Sequence, residues 1–108
     1  MAVFTVTMVH PDGDGWGQHL QAHLDYLEKI LKEGKLKASG PLKGTTLRSG
    51  FLIIAAADRA AVEAIVAQDP FAIAQLIVEL TITEWDPVFG AFYDISSKTL
   101  PGGLGPRT

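Results

Sequence analysis

The chain has 108 residues and a mass of 11.6 kDa, is 47% hydrophobic and 19% charged, and carries a net charge of −3 with a pI near 5.5, which is one globular domain's worth of sequence and too little to wall a deep cavity alone. It contains no cysteine, which removes disulfides, thiolate metal sites, iron–sulfur clusters and a cysteine nucleophile together and makes the cytosol the default compartment. Its nine Lys and Arg are dispersed and give no footprint for nucleic acid, and neither a basic leader nor an apolar run near the roughly 20 residues of a membrane span occurs, so a small molecule or another protein chain is the expected partner.

Residues 3–10 alternate, with Phe4, Val6, Met8 and His10 on one face and Val3, Thr5, Thr7 and Val9 on the other, and predict a first strand. Pro11-Asp12-Gly13-Asp14-Gly15 supplies the turn that ends it. From Gly17 to Glu33, Leu20, Leu24, Leu27 and Leu31 recur at helical spacing opposite Gln21, Asp25, Glu28, Lys29 and Lys32, and Gly34 stands where a C-terminal cap belongs. A short strand over Leu36 to Ser39, the Gly40-Pro41 pair, a polar loop from Lys43 to Ser49 and the run Phe51 to Ala57 read as a hairpin.

Asp58 caps a second predicted helix, Arg59 to Gln68, which Asp69-Pro70 interrupts, with a further helical turn over Phe71 to Gln75. Residues 76–85 alternate again, with Leu76, Val78, Leu80 and Ile82 on one face, and predict a fourth strand. The order βαββαβ is a ferredoxin-like α+β arrangement, in which two helices cover one face of a four-stranded antiparallel sheet. The third strand is apolar on both faces, so the open face needs cover, and a second copy of the chain is the economical answer. The chain therefore reads as one domain over residues 1–95, with an extension from about residue 87 and a flexible tail over 96–108.

Few residues outside the apolar pattern carry chemistry. His23 lies about 60° from the centre of the leucine stripe, taking ~100° per helical residue, at the edge of the buried face. It reads either as a core-edge histidine bonded to a backbone carbonyl or as a proton-transfer group turned into a crevice. Asp69 before Pro70 is a good helix cap in its own right. His19 and His23 have metal-ligand spacing, but the intervening Leu20-Gln21-Ala22 lacks a glutamate and no third ligand is evident, so no metal site is expected. The Asp12 to Gly15 segment lacks the later carboxylates of a calcium loop and reads as a turn. His10 ends the apolar face of the first strand and Ser39 precedes Gly40-Pro41, so both are placed to line a pocket floor.

The combination of His23-Leu24 with Tyr26-Leu27, Glu33-Gly34-Lys35-Leu36, Ser39-Gly40-Pro41-Leu42, Asp69-Pro70-Phe71 and a strand ending at Trp85 resembles the YciI-like (YCII-related) family of dimeric α+β barrel proteins, over roughly residues 3–86. The resemblance implies a ferredoxin-like fold, a homodimer joined through the sheets, and a site in which a histidine of the first helix meets the aspartate of the Asp-Pro motif, here His23 and Asp69. Members of the family that look like this chain include a dehydrochlorinase of chlorinated hydroxyhydroquinone, and the superfamily includes muconolactone isomerases. Both chemistries move protons on cyclic substrates without a metal or organic cofactor. The implied function is a small cytoplasmic lyase of aromatic catabolism that needs no cofactor, with His23 and Asp69 catalytic and His10, Ser39 and Arg48 of the hairpin loop binding a small aromatic or cyclic substrate. The alternatives are a muconolactone-type isomerase and a non-catalytic small-molecule-binding dimer. The long extension after Asp86 departs from shorter members of the family.

Overall fold

The computed structural model describes residues 1–107. Four strands, β1 (Ala2–Val9), β2 (Leu36–Leu42), β3 (Ser49–Ala56) and β4 (Glu79–Trp85), form one antiparallel sheet in the order β2-β3-β1-β4. Helices α1 (Gly15–Lys32), α2 (Arg59–Ala67) and the single turn α3 (Pro70–Ile73) connect them, which is the expected ferredoxin-like α+β fold.

The alternation of β1 decides which face is which. Phe4, Val6 and Met8 are buried with Leu52 and Ile54 of β3, Ile82 of β4 and Val62 and Val66 of α2 in a single core. Three side-chain bonds hold the helices in place. Tyr26 Oη of α1 donates to the Ile65 carbonyl of α2 at 2.6 Å, Arg59 Nη1 donates to the Ile82 carbonyl at 2.7 Å, and Asp58 caps α2 by accepting from the Ala61 amide. Burial of the Tyr26 hydroxyl, helped by the negative charges of Asp69 and then Glu33, pushes that phenol above its ordinary value, so it stays a donor.

The leucine stripe of α1 is not the core seam its spacing suggests. Ile30 is the one buried residue of α1, while Leu24 and Leu31 are 46% and 48% exposed. Leu20, Leu24 and Leu27 instead line a cleft, with Leu27 also packing partly on the core. β2 also runs further than predicted, through Gly40-Pro41 to Leu42. Pro41 is tolerated because β2 is an edge strand, where a missing N–H removes no ladder bond. A bulge between Leu36 and Ala38 shifts the pairing by one residue, and this turns Ser39 to the helix side, opposite Leu52, rather than to the open side.

β4 is shorter than the predicted 76–85 span. Gln75 takes a left-handed conformation (φ 60°), the Leu76 amide donates to the Phe71 carbonyl at 2.8 Å to close α3, and pairing with β1 begins only at Glu79. Ile77, not Leu76 or Val78, packs on the core.

On the face away from the helices the register places Val3, Ala55 and Trp85 in one row and Thr5, Ile53 and Thr83 in the next. Val3, Ile53 and Ala55 are already buried within the single chain. Phe92 of the extension packs edge to face on Trp85, ring centroids 6.3 Å apart, so the chain's own extension meets this end of the open face. The extension is clasped by Asp86, which accepts from the Ser97 amide (2.8 Å) and hydroxyl (2.6 Å), bonds that hold its carboxyl below the ordinary value. The tail expected over 96–108 adds no buried residue among those described. It forms a hairpin of β5 (Thr99–Leu100) and β6 (Gly105–Pro106), with Tyr93 Oη donating to the Arg107 carbonyl at 2.9 Å. Thr108, part of that predicted tail, lies outside the described residues. Among the described residues no helix is long and apolar enough to cross a membrane.

Candidate active site

A cleft of about 510 Å³ opens between the N-terminal half of α1 and the end of the sheet where β1 finishes and β3 begins. Met8, Leu52, Leu20, Leu24, Leu27, Pro41 and Leu42 make it mostly apolar, the character of a small-molecule site with a few fixed polar groups. Those groups are His10, His23, Ser39, Arg48 and Ser49.

His23 and Asp69 meet although 46 residues separate them. His23 Nδ1 lies 2.9 Å from Asp69 Oδ2 and 3.0 Å from Oδ1, and the side chains are 12% and 1% exposed. Asp69 Oδ1 also accepts from the Phe71 amide at 2.9 Å, capping α3 with Pro70 in its first turn. The cap reading and the histidine-partner reading of Asp69 thus hold together, because a carboxylate has lone pairs for both. A carboxylate only accepts, so Nδ1 carries the hydrogen and Nε2 is left for the cleft. Such a pair can hand a proton to a ligand at Nε2 or take one there, with Asp69 fixing the ring's orientation.

Phe71, 1% exposed, is the centre of an aromatic cluster. The His23 ring stacks on it at 4.3 Å and 25°, the His10 ring tilts against it at 4.6 Å, and Trp16 stacks at 6.2 Å. The Arg48 guanidinium sits over the Trp16 ring, 4.3 Å from its centroid, which joins a cation to a flat apolar surface at the cleft rim. His10 Nδ1 lies 2.7 Å from the Leu76 carbonyl, and the His10 amide donates to the Arg48 carbonyl at 2.9 Å. All four cleft positions singled out from the sequence line this one cavity, and Asp69 stands directly behind His23. His19, in contrast, turns its Nδ1 to the Gly15 carbonyl of its own helix (3.0 Å), and among the described residues no cluster of three or more His, Asp or Glu could hold a metal ion.

Sequence reading missed Trp16, Phe71 and the leucine wall as site residues. Trp16 lies four residues before Leu20, so helical spacing puts it at the N-terminal end of the leucine stripe. A helix start expected at Gly17 left it outside that pattern, whereas α1 begins at Gly15. Phe71 is visible only as the third residue of the Asp-Pro-Phe element.

The fold is shared with proteins of known structure. A 5-chloro-2-hydroxyhydroquinone dehydrochlorinase from Burkholderia phenoliruptrix AC1100, solved as a complex with 2,5-dihydroxybenzoquinone, superposes with a TM-score of 0.68 at 26% identity, over 78% of this chain and 93% of that one. An uncharacterized NIPSNAP domain protein from Burkholderia xenovorans (TM-score 0.52, 20% identity, 85% and 97% covered) and a dimeric ferredoxin-like protein of unknown function from Jannaschia sp. CCS1 (0.50, 16%, 80% and 99%) share the fold. No curated protein matches the sequence significantly. The model of the YCII-related domain matches residues 6–86, the span that holds the whole sheet from Val6 onward, both cleft walls and the His23–Asp69 pair, and the chain belongs to that family.

Proposed function

We propose that the protein is a lyase that eliminates HCl from a chlorinated hydroxyhydroquinone, with His23 and Asp69 as its proton-transfer pair and no cofactor in the reaction. The observation that carries this reading is the pair itself, a histidine held by a buried carboxylate at 2.9 Å on the wall of an apolar, aromatic cleft, in a chain similar to a dehydrochlorinase bound to a dihydroxybenzoquinone. The chemistry follows from an electron-rich ring. Protonated His23 gives its Nε2 proton to the carbon that bears chlorine, which becomes tetrahedral. The ring sheds one hydroxyl proton to complete that tautomerisation. Chloride then departs as a second hydroxyl becomes a carbonyl and releases its proton. Of the two hydroxyl protons, one restores His23 and the other leaves with chloride, so no oxidant or reductant is consumed. Asp69 balances the charge on the imidazolium between the steps.

The substrate is flat and partly anionic. Arg48 on Trp16 suits its charge and its plane, and Ser39 and His10 offer hydrogen bonds to its hydroxyls. A second copy of the chain, joined through the open sheet face, completes this reading.

The test is anaerobic incubation with a chlorinated hydroxyhydroquinone. Chloride and hydroxybenzoquinone should appear in equal amounts without added cofactor and undiminished by chelator, and His23→Ala should lower turnover by about 10²–10⁴ while the fold is retained. Dependence on oxygen, a nicotinamide or a divalent ion would reject the reading. Isomerisation of a lactone without halide release would move the assignment to a muconolactone-type isomerase, and tight binding without turnover to a non-catalytic dimer.

A further inference from the structure

We infer that His10 is the second proton-transfer residue of the cleft, its Nε2 accepting the proton that the ring hydroxyl sheds while His23 protonates carbon. The inference rests on the lyase reading and assigns the one proton which that reading leaves without an acceptor.

His10 Nδ1 is 2.7 Å from the Leu76 oxygen, and a carbonyl oxygen can only accept, so the neutral ring carries its hydrogen on Nδ1 and its lone pair on Nε2. The ring is not free to turn that lone pair elsewhere. Its main chain is pinned by the bond to the Arg48 carbonyl (2.9 Å), and the ring is wedged at a tilt against the buried Phe71 ring. His10 is 3% exposed, yet among the described residues every fully buried side-chain nitrogen and oxygen has a partner, and Nε2 has no hydrogen bond of its own. Its small accessible surface therefore includes Nε2, and the cleft is the space that His10 lines.

The two histidines are built differently. His23 is backed by a carboxylate, which balances a positive ring, and His10 by a neutral carbonyl, which fixes one tautomer and supplies no counter-charge. One is suited to deliver a proton and the other to receive it. Both rings pack against Phe71, with centroid distances of 4.3 and 4.6 Å, so they lie within about 9 Å of each other, a span that one hydroxylated ring with a hydrogen bond at each edge can bridge. In the balanced scheme the hydroxyl O–H bond breaks to His10 Nε2 as the C–H bond forms from His23 Nε2, the second hydroxyl proton returns to His23 when chloride leaves, and His10 passes its proton to water at the cleft mouth. A neutral Nε2 also requires a donor from the ligand, so a free hydroxyl at this position is part of the specificity.

The experiment measures chloride release by the wild type and by His10→Ala at saturating substrate, with circular dichroism to confirm the fold and His10→Asn as a variant that keeps a donor for the Leu76 carbonyl but offers no base. The expected result is a fall in kcat of about 10²–10⁴ in both variants with KM little changed, and recovery of the alanine variant on addition of free imidazole as proton carrier. Raised KM with kcat intact, or no response to imidazole alongside full activity of His10→Asn, reduces His10 to a binding group and overturns the inference while leaving the lyase reading in place. A wild type that releases no chloride rejects the lyase reading and the inference together. Independently of activity, long-range proton–nitrogen NMR of the neutral His10 ring should show its hydrogen on Nδ1, and a hydrogen on Nε2 would also overturn the assignment.

Discussion

Replacing Asp69 with alanine removes three interactions at one stroke. The carboxylate accepts from His23 Nδ1 on both oxygens and from the Phe71 amide on Oδ1, and it is 1% exposed, so nothing in water replaces it. Losing a helix cap costs about 1 kcal/mol, and losing the hydrogen bond between the His23 ring and a buried carboxylate costs roughly 1.5–3 kcal/mol. Because His23 keeps 12% of its side chain exposed, it can recover part of its solvation, which puts the total toward the low end, about 3 kcal/mol. For a domain of this size each kcal/mol moves the melting temperature by roughly 4–8 °C, so Asp69→Ala should melt about 12–24 °C below the wild type. Asp69→Asn separates the roles. Its side-chain oxygen can still cap Phe71 and face His23 Nδ1, but its amide now opposes the Nδ1 hydrogen, so stability falls by about 1–2 kcal/mol and turnover drops by less than in His23→Ala. Thermal and urea denaturation of both variants decide the matter. An alanine variant that melts with the wild type would refute the buried pair and, with it, the positioning of His23.

Gln75 holds a left-handed backbone (φ 60°), so Gln75→Gly should gain about 0.5–1 kcal/mol and the β-branched Gln75→Val should lose about as much in urea titration. The Ser97 bonds that depress the Asp86 carboxyl from its ordinary 3.8 contribute stability that is present above that value and is lost as acid protonates the group, so the Ser97 amide resonance should move on acidification below pH 3.8 in the wild type and Ser97→Ala should free the extension at neutral pH. Light scattering should report twice the 11.6 kDa chain mass; a monomer at micromolar concentration would remove the second copy from the proposed assembly.

How much of this was readable beforehand depends on whether a signal was local. The alternation of Phe4, Val6, Met8 and His10 is a period of two, which no backbone irregularity interrupts, so it correctly put His10 on the helix side of the sheet. Boundaries failed where the backbone changes conformation. The bulge after Leu36 is invisible in Leu-Lys-Ala-Ser, yet it is what brings Ser39 to the cleft side. The positive φ of Gln75 falls on a residue type that does not advertise it, so Leu76 and Val78 read as strand when Leu76 in fact supplies its carbonyl to His10. The third strand's two apolar faces suggested a need for outside cover, but the burial of Val3, Ile53 and Ala55 and the Trp85–Phe92 contact show the extension taking part in that cover.

The leucine stripe of α1 is the most instructive case. Helical periodicity reports that Leu20, Leu24, Leu27 and Leu31 share a face, and it is silent on what that face meets. In this fold α1 is seated by Ile30, by Tyr26 on α2 and by His23 on Asp69, contacts that lie to one side of the stripe. Leu20, Leu24 and Leu27 are thereby turned toward Pro41 and Leu42 across an open cleft. An apolar wall left half exposed lowers the stability that α1 could draw from burial, at about 25 cal/mol per Å² left in contact with water, and under the proposed function that surface is the one a flat ligand would cover. The same placement explains why His23 was ambiguous in the sequence: at the edge of a stripe that lines a cleft, the ring turns one nitrogen to the buried Asp69 carboxylate, not to a backbone carbonyl, while the residue still borders the cavity.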